Sequence, residues 1–508
     1  MRLNTKNIIL ALAGLSLLAS CALDEYPYGF YSENNFYKTP EDAKASVNYI
    51  YDAINYIEYS RSIVFLADMN TDVMEPKGDA TAANKELDGW KTGTFNTNTT
   101  LNNFFKYSYI TINRANAVIE KVGEMSDLDQ DLKNRYVGEA YFMRGWSYFC
   151  LARNFGRVPI HTESVTKLEQ TTVPQASSLD EMWNLILSDL KTASELLPFY
   201  TTPETGRADK AAAYGFLAKA YLYIASAKAN NVPQYAEMSH DVDAYYAEAA
   251  KYAALVVNNP EQNTYGFEEN LLDIYDVEKP TGKEHIFIMS MDRTGASEGQ
   301  YSKISKMYLP YISGAAVYLK QGDTDKLIPT HDGWGEYKTT MSFYNSFEEG
   351  DLRHDWLFCN RVYDANGAEV ASLENGKLTY PFCRKFIDPQ FMGDKTSTKP
   401  FLLRFSDVAL IYAEAAGPSE ESYRLVNYIR HRAGLGDLAP GLNTQAFREA
   451  VLAERKFELA FEGDHCYDLR RWNKLHTDIT AAKEQGYTAE DIVFYPIPQM
   501  ESDLNPNL

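Results

Sequence analysis

The stretch REAVLAERKFELAFEGDHCYDLRRWNKL, residues 448–475, decides the reading of the chain, because it sets acidic, basic and aromatic residues at helical spacing. Ala450, Ala453, Phe457, Ala460 and Phe461 recur at the intervals of one helix face, while Glu449, Glu454, Lys456 and Glu458 occupy the others. Gly463 is placed to end that helix. Leu469, Trp472 and Leu475, beside Arg470, Arg471 and Lys474, predict a second short helix from Tyr467. So many charges beside aromatics invite a catalytic reading. Carboxylates and guanidinium groups pair routinely where helices meet, however, so the stretch reads as a structural clasp that pairs Glu454, Glu458 or Glu462 with Arg470 or Arg471.

Upstream of the clasp the pattern is helical for most of the chain. Thr39 caps and Pro40 opens a helix over Pro40–Tyr59, faced by Ala43, Val47, Ile50, Tyr51 and Ile54. Further helices are expected over Asn102–Val122, Leu132–Asn154, Leu179–Leu197, Lys210–Ala227, Ala244–Val257, Phe405–Ala416 and Glu420–Ala433. Alternation of small and large residues in AAAYGFLAKAYLYIA suits closely packed helix pairs. Without a clean 34-residue repeat, the expected fold is mostly α, a degenerate tetratricopeptide-like solenoid. Two parts differ. Asp68–Thr100 reads as a long surface loop, and Asn258–Pro400 as a loop-rich insertion containing β-rich pieces such as HIFIMSM. The tail PIPQMESDLNPNL is too rich in Pro and Asn for a helix.

The chain has 508 residues, 45% of them hydrophobic, and a formal charge of −21, which argues against nucleic acid or anionic lipid as a partner. Arg2 and Lys6 precede an apolar run, Ile8–Leu18, with the length of a signal-peptide core. The expected organisation is a signal peptide at 1–20, a tether at 21–38 and a body at 39–508. The body divides into a helical block at 39–258, the insertion at 259–400, and a helical block with tail at 401–508. Cys150, Cys359, Cys383 and Cys466 form no metal or disulfide signature.

The sequence lacks H-E-x-x-H, G-x-S-x-G, P-loop and dinucleotide fingerprints. No catalytic residue, cofactor or metal site is assigned. Asp323 with Asp325, or Asp241 with Asp243, could offer oxygens to a calcium ion, but neither pair follows a calcium-loop pattern. A glycosidase carboxylate pair is not selected by anything in the sequence. The aromatic loops are more informative. Trp90 sits in ELDGWKTGTFNTNT with Phe95, Asn96 and Asn98, and a flat ring beside amides suits the apolar face and hydroxyls of a sugar. Tyr301, Tyr308, Tyr311, Tyr318, Trp334 and Tyr337 form a second group. The candidate ligand contacts are therefore Trp90, Phe95, Asn96, Tyr301, Tyr308 and Trp334.

Several motifs together resemble the SusD/RagB family of Bacteroidetes surface lipoproteins. They are EDAKASVNYIYDAI, AYFMRGWSYFCLARNFGRVPI, GRADKAAAYGFLAKAYLY, RFSDVALIYAEAA, VNYIRHRAGL, ERKFELAFEGDHCYDLRRW and the PIP…E…NPNL ending. His465 and Cys466 depart from the Arg-Trp type of pair usual at that point. Leu18-Ala19-Ser20-Cys21 resembles a lipobox, with Cys21 lipidated, and Asp24 and Glu25 resemble a surface-export signal. The resemblance implies about four tetratricopeptide-like helix pairs supporting a loop-rich half, in a non-catalytic outer-membrane lipoprotein on the cell surface. It would capture oligosaccharides and deliver them to a SusC-like TonB-dependent transporter; a RagB-like oligopeptide-binding role is the alternative. The family's binding loops vary, so the resemblance transfers no ligand contacts.

Overall fold

The computed structural model describes residues 36–508 apart from 201–205, 280, 298, 313–316 and 323. The signal segment, Cys21, nearly all of the tether and Asp323 lie outside the described residues. Helices Pro40–Asn55, Thr99–Gly123, Gln130–Phe155, Leu179–Leu196, Lys210–Ala229 and Val242–Val257 each pack against the next, and the last packs against Phe405–Ala416. That nearest-neighbour stacking is the expected tetratricopeptide-like solenoid. Each start is chemically marked: the side chains of Thr39, Asn98, Asp129, Ser178, Asp209 and Asp241 accept hydrogen bonds from the free N–H groups of the first turns. Pro40–Asn55 ends earlier than expected, and a separate helix, Ile57–Asp68, follows.

Gln130–Phe155 is buried without interruption from Phe142 to Phe155, as a helix enclosed by neighbours requires. At Gly145 an added Cβ would lie 3.0 Å from Cβ of Asp189 and 3.1 Å from Cγ of Leu190, so glycine sets the close approach of this helix to Leu179–Leu196. Beside it, Nε and Nη2 of Arg144 each donate at 2.7 Å to the two oxygens of buried Asp189. All four described cysteines are buried and free.

The insertion leaves the helical block and returns to it at one place. His285–Ile288, within HIFIMSM, pairs antiparallel with Phe401–Arg404, which runs straight into Phe405–Ala416. Between these ends lie short helices and a four-stranded sheet in which Val317–Lys320 pairs with Leu327–Thr330 and Arg361–Tyr363, and the latter with Glu369–Ser372.

Two sequence expectations are corrected. The 68–100 segment is not an open loop: Met74–Pro76 pairs with Tyr337–Thr339, Ala82–Asp88 is helical, and Thr92–Thr97 forms a 3-10 turn. Leu87, Trp90 and Phe95 enter the main core, where the partner Tyr495 comes from the far end of the chain, and Met69, Val73 and Met74 enter a second cluster. The tail contains a short helix, Gln499–Leu504, beyond which Nδ2 of Asn505 donates to the Val173 carbonyl at 2.7 Å.

The clasp is a pair of helices, but not with the expected faces. Thr444–Glu458 ends five residues before Gly463, and the second helix, His465–Arg471, starts before Tyr467. The buried stripe of the first is Phe447, Val451, Glu454, Arg455 and Glu458, whereas Ala453 is exposed. Charge goes inward because partners wait there. Glu454 meets Arg353 and Arg430, Glu458 meets Arg353, Arg404 and Arg432, and Glu462 meets Arg404 and Lys385. Arg471 pairs with Glu414 and Asp468, not with the glutamates of its own hairpin.

Candidate ligand-binding surface

The structure separates the predicted ligand contacts into two groups. Trp90 is 1% exposed; its Nε1 donates to the Asn70 carbonyl at 2.9 Å, and its ring stacks on Tyr495 with centroids 6.1 Å apart. Phe95 is 2% exposed beside the same Tyr495, and Tyr308, 1% exposed, stacks on Phe386 and meets Phe461 of the clasp edge-on. These three rings are core residues, and the expectation that they stack on a ligand is corrected. A polar local sequence does not reveal an apolar partner hundreds of residues away. Asn96 is half-buried, with Nδ2 3.5 Å from Oε1 of Gln499.

Trp334 and Tyr301 are not sealed in the core, and they share Lys303 as a neighbour. Trp334 is 37% exposed. It stands in a tightly held turn in which the N–H groups of Gly333, Trp334 and Gly335 donate to the carbonyls of Pro310, Lys306 and Leu309 at 3.0, 2.6 and 2.8 Å. A Cβ at Gly333 would lie 1.8 Å from the Leu309 carbonyl oxygen, so only glycine lets the turn sit this low. Gly335 adopts φ +57°, with the Tyr380 hydroxyl packed against it. The backbone is thus tied down on both sides of the indole, which is presented outward on a fixed base.

Tyr301 is half-buried beside Ser302, whose backbone bridges to Thr396. Lys303 lies between the two rings, its Nζ 5.8 Å from the Tyr301 centroid and 6.0 Å from that of Trp334. Lys395 lies over the Tyr301 ring at 4.7 Å and donates to the Gly295 carbonyl at 2.8 Å. Lys306, whose carbonyl holds the Trp334 turn, pairs with Asp394 at 2.9 Å and lowers that carboxyl's pKa. Tyr311 is 70% exposed on the segment that holds the turn. Sequence reasoning found the rings and missed the lysines.

Three further polar groups, Tyr49, which the sequence did not single out, and Asp241 and Asp325, which it did, have structural partners. Tyr49 is exposed in a cavity of about 740 Å³ between Thr99–Gly123 and the tail, but the Arg114 guanidinium lies 3.3 Å from its ring centroid and covers that face. Asp241 caps Val242–Val257, and Asp325 pairs with Lys320 at 2.7 Å.

Comparison with known proteins follows the same lines. The family model described as "SusD family" matches residues 283–508, and one described as "Starch-binding associating with outer membrane" matches residues 32–222. SusD-like protein P2 of Formosa agariphila is 24% identical over 97% of this chain and 96% of its own length. A SusD superfamily protein from Parabacteroides distasonis superposes with a TM-score of 0.73 at 25% identity, covering 92% of this chain and 98% of that one. Surface glycan-binding protein A from Bacteroides thetaiotaomicron, solved in complex with laminarihexaose, gives a TM-score of 0.70 at 20% identity, over 91% and 97% of the two chains. The first model spans most of the insertion and the C-terminal block, the second most of the N-terminal block, and over nearly its whole length the chain is similar to proteins of the SusD family.

Proposed function

We propose that the protein is a non-catalytic cell-surface lipoprotein that binds oligosaccharides at Trp334 and Tyr301 and passes them to a SusC-like TonB-dependent transporter. The observation that carries this reading is the accessible indole of Trp334, held on a rigid turn. A ring face stacks on the C–H face of a pyranose, the contact the Trp334 indole offers. The laminarihexaose complex of a structural relative supports a glycan as ligand. The lipobox-like Cys21 supports a membrane tether, and no helix among the described residues is long and apolar enough to cross a membrane.

Affinity electrophoresis and isothermal titration of the mature chain against a polysaccharide panel that includes laminarin test the proposal. Retention by at least one glycan, lost in Trp334→Ala, is the expected result. Binding to oligopeptides with retention by no glycan would replace it with the RagB-like reading. Release of reducing sugar by the purified protein would overturn the non-catalytic part.

A further inference from the structure

Arg470 is a buried clasp cation with no carboxylate partner among the described residues. It is 2% exposed, and its Nη1 donates to the Arg153 carbonyl. Its Nε and Nη2, the two N–H groups that form the bidentate edge of a guanidinium, have no hydrogen-bond partner. Elsewhere in the chain that same edge grips a carboxylate, Asp189 on Arg144, Asp351 on Arg353 and Glu421 on Arg424.

The charge balance around Arg470 is uneven. The buried cluster that continues from it contains five cations, Arg153, Lys219, Arg455, Arg470 and Arg471, against four carboxylates, Asp407, Glu414, Asp464 and Asp468. Arginine does not deprotonate in proteins. The groups nearest its charge supply no anion, since burial pushes up the Cys466 thiol and the Tyr223, Tyr467 and Tyr495 hydroxyls. Asp68, the next buried carboxyl, is pushed by burial to about 8 and keeps its proton at neutral pH. Water can satisfy two N–H groups but leaves a buried unit charge uncompensated, which is costly in a low-dielectric interior.

We infer that the Nε–Nη2 edge of Arg470 is a buried binding site for one small monovalent anion of the size and chemistry of chloride. Two parallel donors supply the geometry and the excess positive charge supplies the sign. The Tyr495 and Tyr467 rings pack on the guanidinium, whose carbon lies 5.3 Å and 5.8 Å from their centroids. The site would act as a built-in counter-ion that lets the clasp close.

Crystals of the mature chain soaked in sodium bromide, measured at the bromine edge, should show an anomalous peak between Nε and Nη2 of Arg470. The melting midpoint of the wild type should rise as chloride or bromide replaces gluconate at constant ionic strength, and Arg470→Met should lose that dependence. If Arg470→Met does not fold, the wild-type halide titration and the bromide crystal decide. A water molecule at this edge in the bromide crystal overturns the inference, as does a midpoint indifferent to halide.

Discussion

Nη2 of Arg432 lies 2.6 Å from Oε1 of Glu458, with both side chains all but sealed from solvent. The same carboxylate takes Arg404 at 2.9 Å and Arg353 at 3.1 Å. It thereby joins the end of Glu420–Arg432, the strand that closes the insertion, and the insertion itself. Removing one partner of a buried ion pair typically costs about 3–5 kcal/mol because it strands the other, whereas here each arginine keeps a second carboxylate, Asp351 and Glu454 for Arg353, Glu284 and Glu462 for Arg404, and Glu284 for Arg432. Glu458→Gln should therefore lower unfolding stability by about the lower end of that range in urea denaturation monitored by circular dichroism. The arginines also hold the Glu458 and Glu284 carboxyls below the usual range, against the opposing effect of burial. Their contribution is present above the ordinary glutamate pKa of about 4.3 and is lost as pH falls through the depressed values. A Glu458→Gln variant as stable as wild type would remove this account.

Trp90 and Trp334 should respond to truncation in opposite ways. Trp90→Ala opens a cavity in a packed core and orphans the Asn70 carbonyl, so a loss of about 3–5 kcal/mol is expected. Trp334→Ala removes a partly exposed ring from a turn held by backbone bonds. Its melting midpoint should stay within about 2 °C of wild type, since surface changes fall within roughly 0.5 kcal/mol, while glycan affinity falls about tenfold or more. Calorimetry and titration on the two variants check both halves.

The sequence-to-structure lesson lies in these same residues. The long helices were legible because caps and apolar periodicity are local, and each start at Asn98, Asp129, Ser178, Asp209 and Asp241 carries its own chemical mark. The burial of Trp90 was not legible, since its polar, glycine-rich surroundings give no sign of Tyr495, its stacking partner from the end of the chain. The clasp failed in the same way. Hydrophobic periodicity places Glu454 and Glu458 off the apolar face and offers only Arg470 or Arg471 as partners, and only the fold brings Arg353, Arg404 and Arg432 to meet them. Trp334 was visible as an aromatic in a loop, but its neighbour Lys303 became visible only when the fold placed it near two rings.

Cys21→Ala tests the anchor independently of ligand. If Cys21 is the acylated first residue of the mature protein, the variant should lose incorporation of labelled palmitate and leave the outer-membrane fraction, because one acyl chain binds reversibly and stable anchoring takes more than one. The purified variant should bind glycan as wild type does, since Trp334 and Tyr301 belong to the insertion. Unchanged palmitate labelling would refute the assignment of Cys21.

Asp68 gives the clasp a pH dependence of opposite sign to that of Glu458. Its carboxyl is fully enclosed, Oδ2 accepts from the Gly463 N–H at 3.1 Å, and Oδ1 has no partner. Burial, the largest influence, together with Asp464 and Glu462, pushes its pKa up to about 8 against the help of Gly463 and Lys385. An unfolded aspartate ionises near 3.9, so between about 4 and 8 the folded chain holds a proton that the unfolded chain has released. The stability due to Asp68 is therefore full below about pH 4, declines as pH rises, and levels off above about 8. Asp68→Asn keeps the shape, retains an acceptor for Gly463 and removes the titration. Relative to wild type the variant should gain little at pH 5 and a few kcal/mol at pH 9, the order set by about 1.4 kcal/mol per unit of pKa shift. Asp88 and Asp209, raised by burial to about 7 and about 6, slope the same way but are common to both proteins, so the difference isolates Asp68. Urea midpoints at pH 5, 7 and 9 measure it, and an offset that stays constant across that range would show that Asp68 is ionised in the native protein.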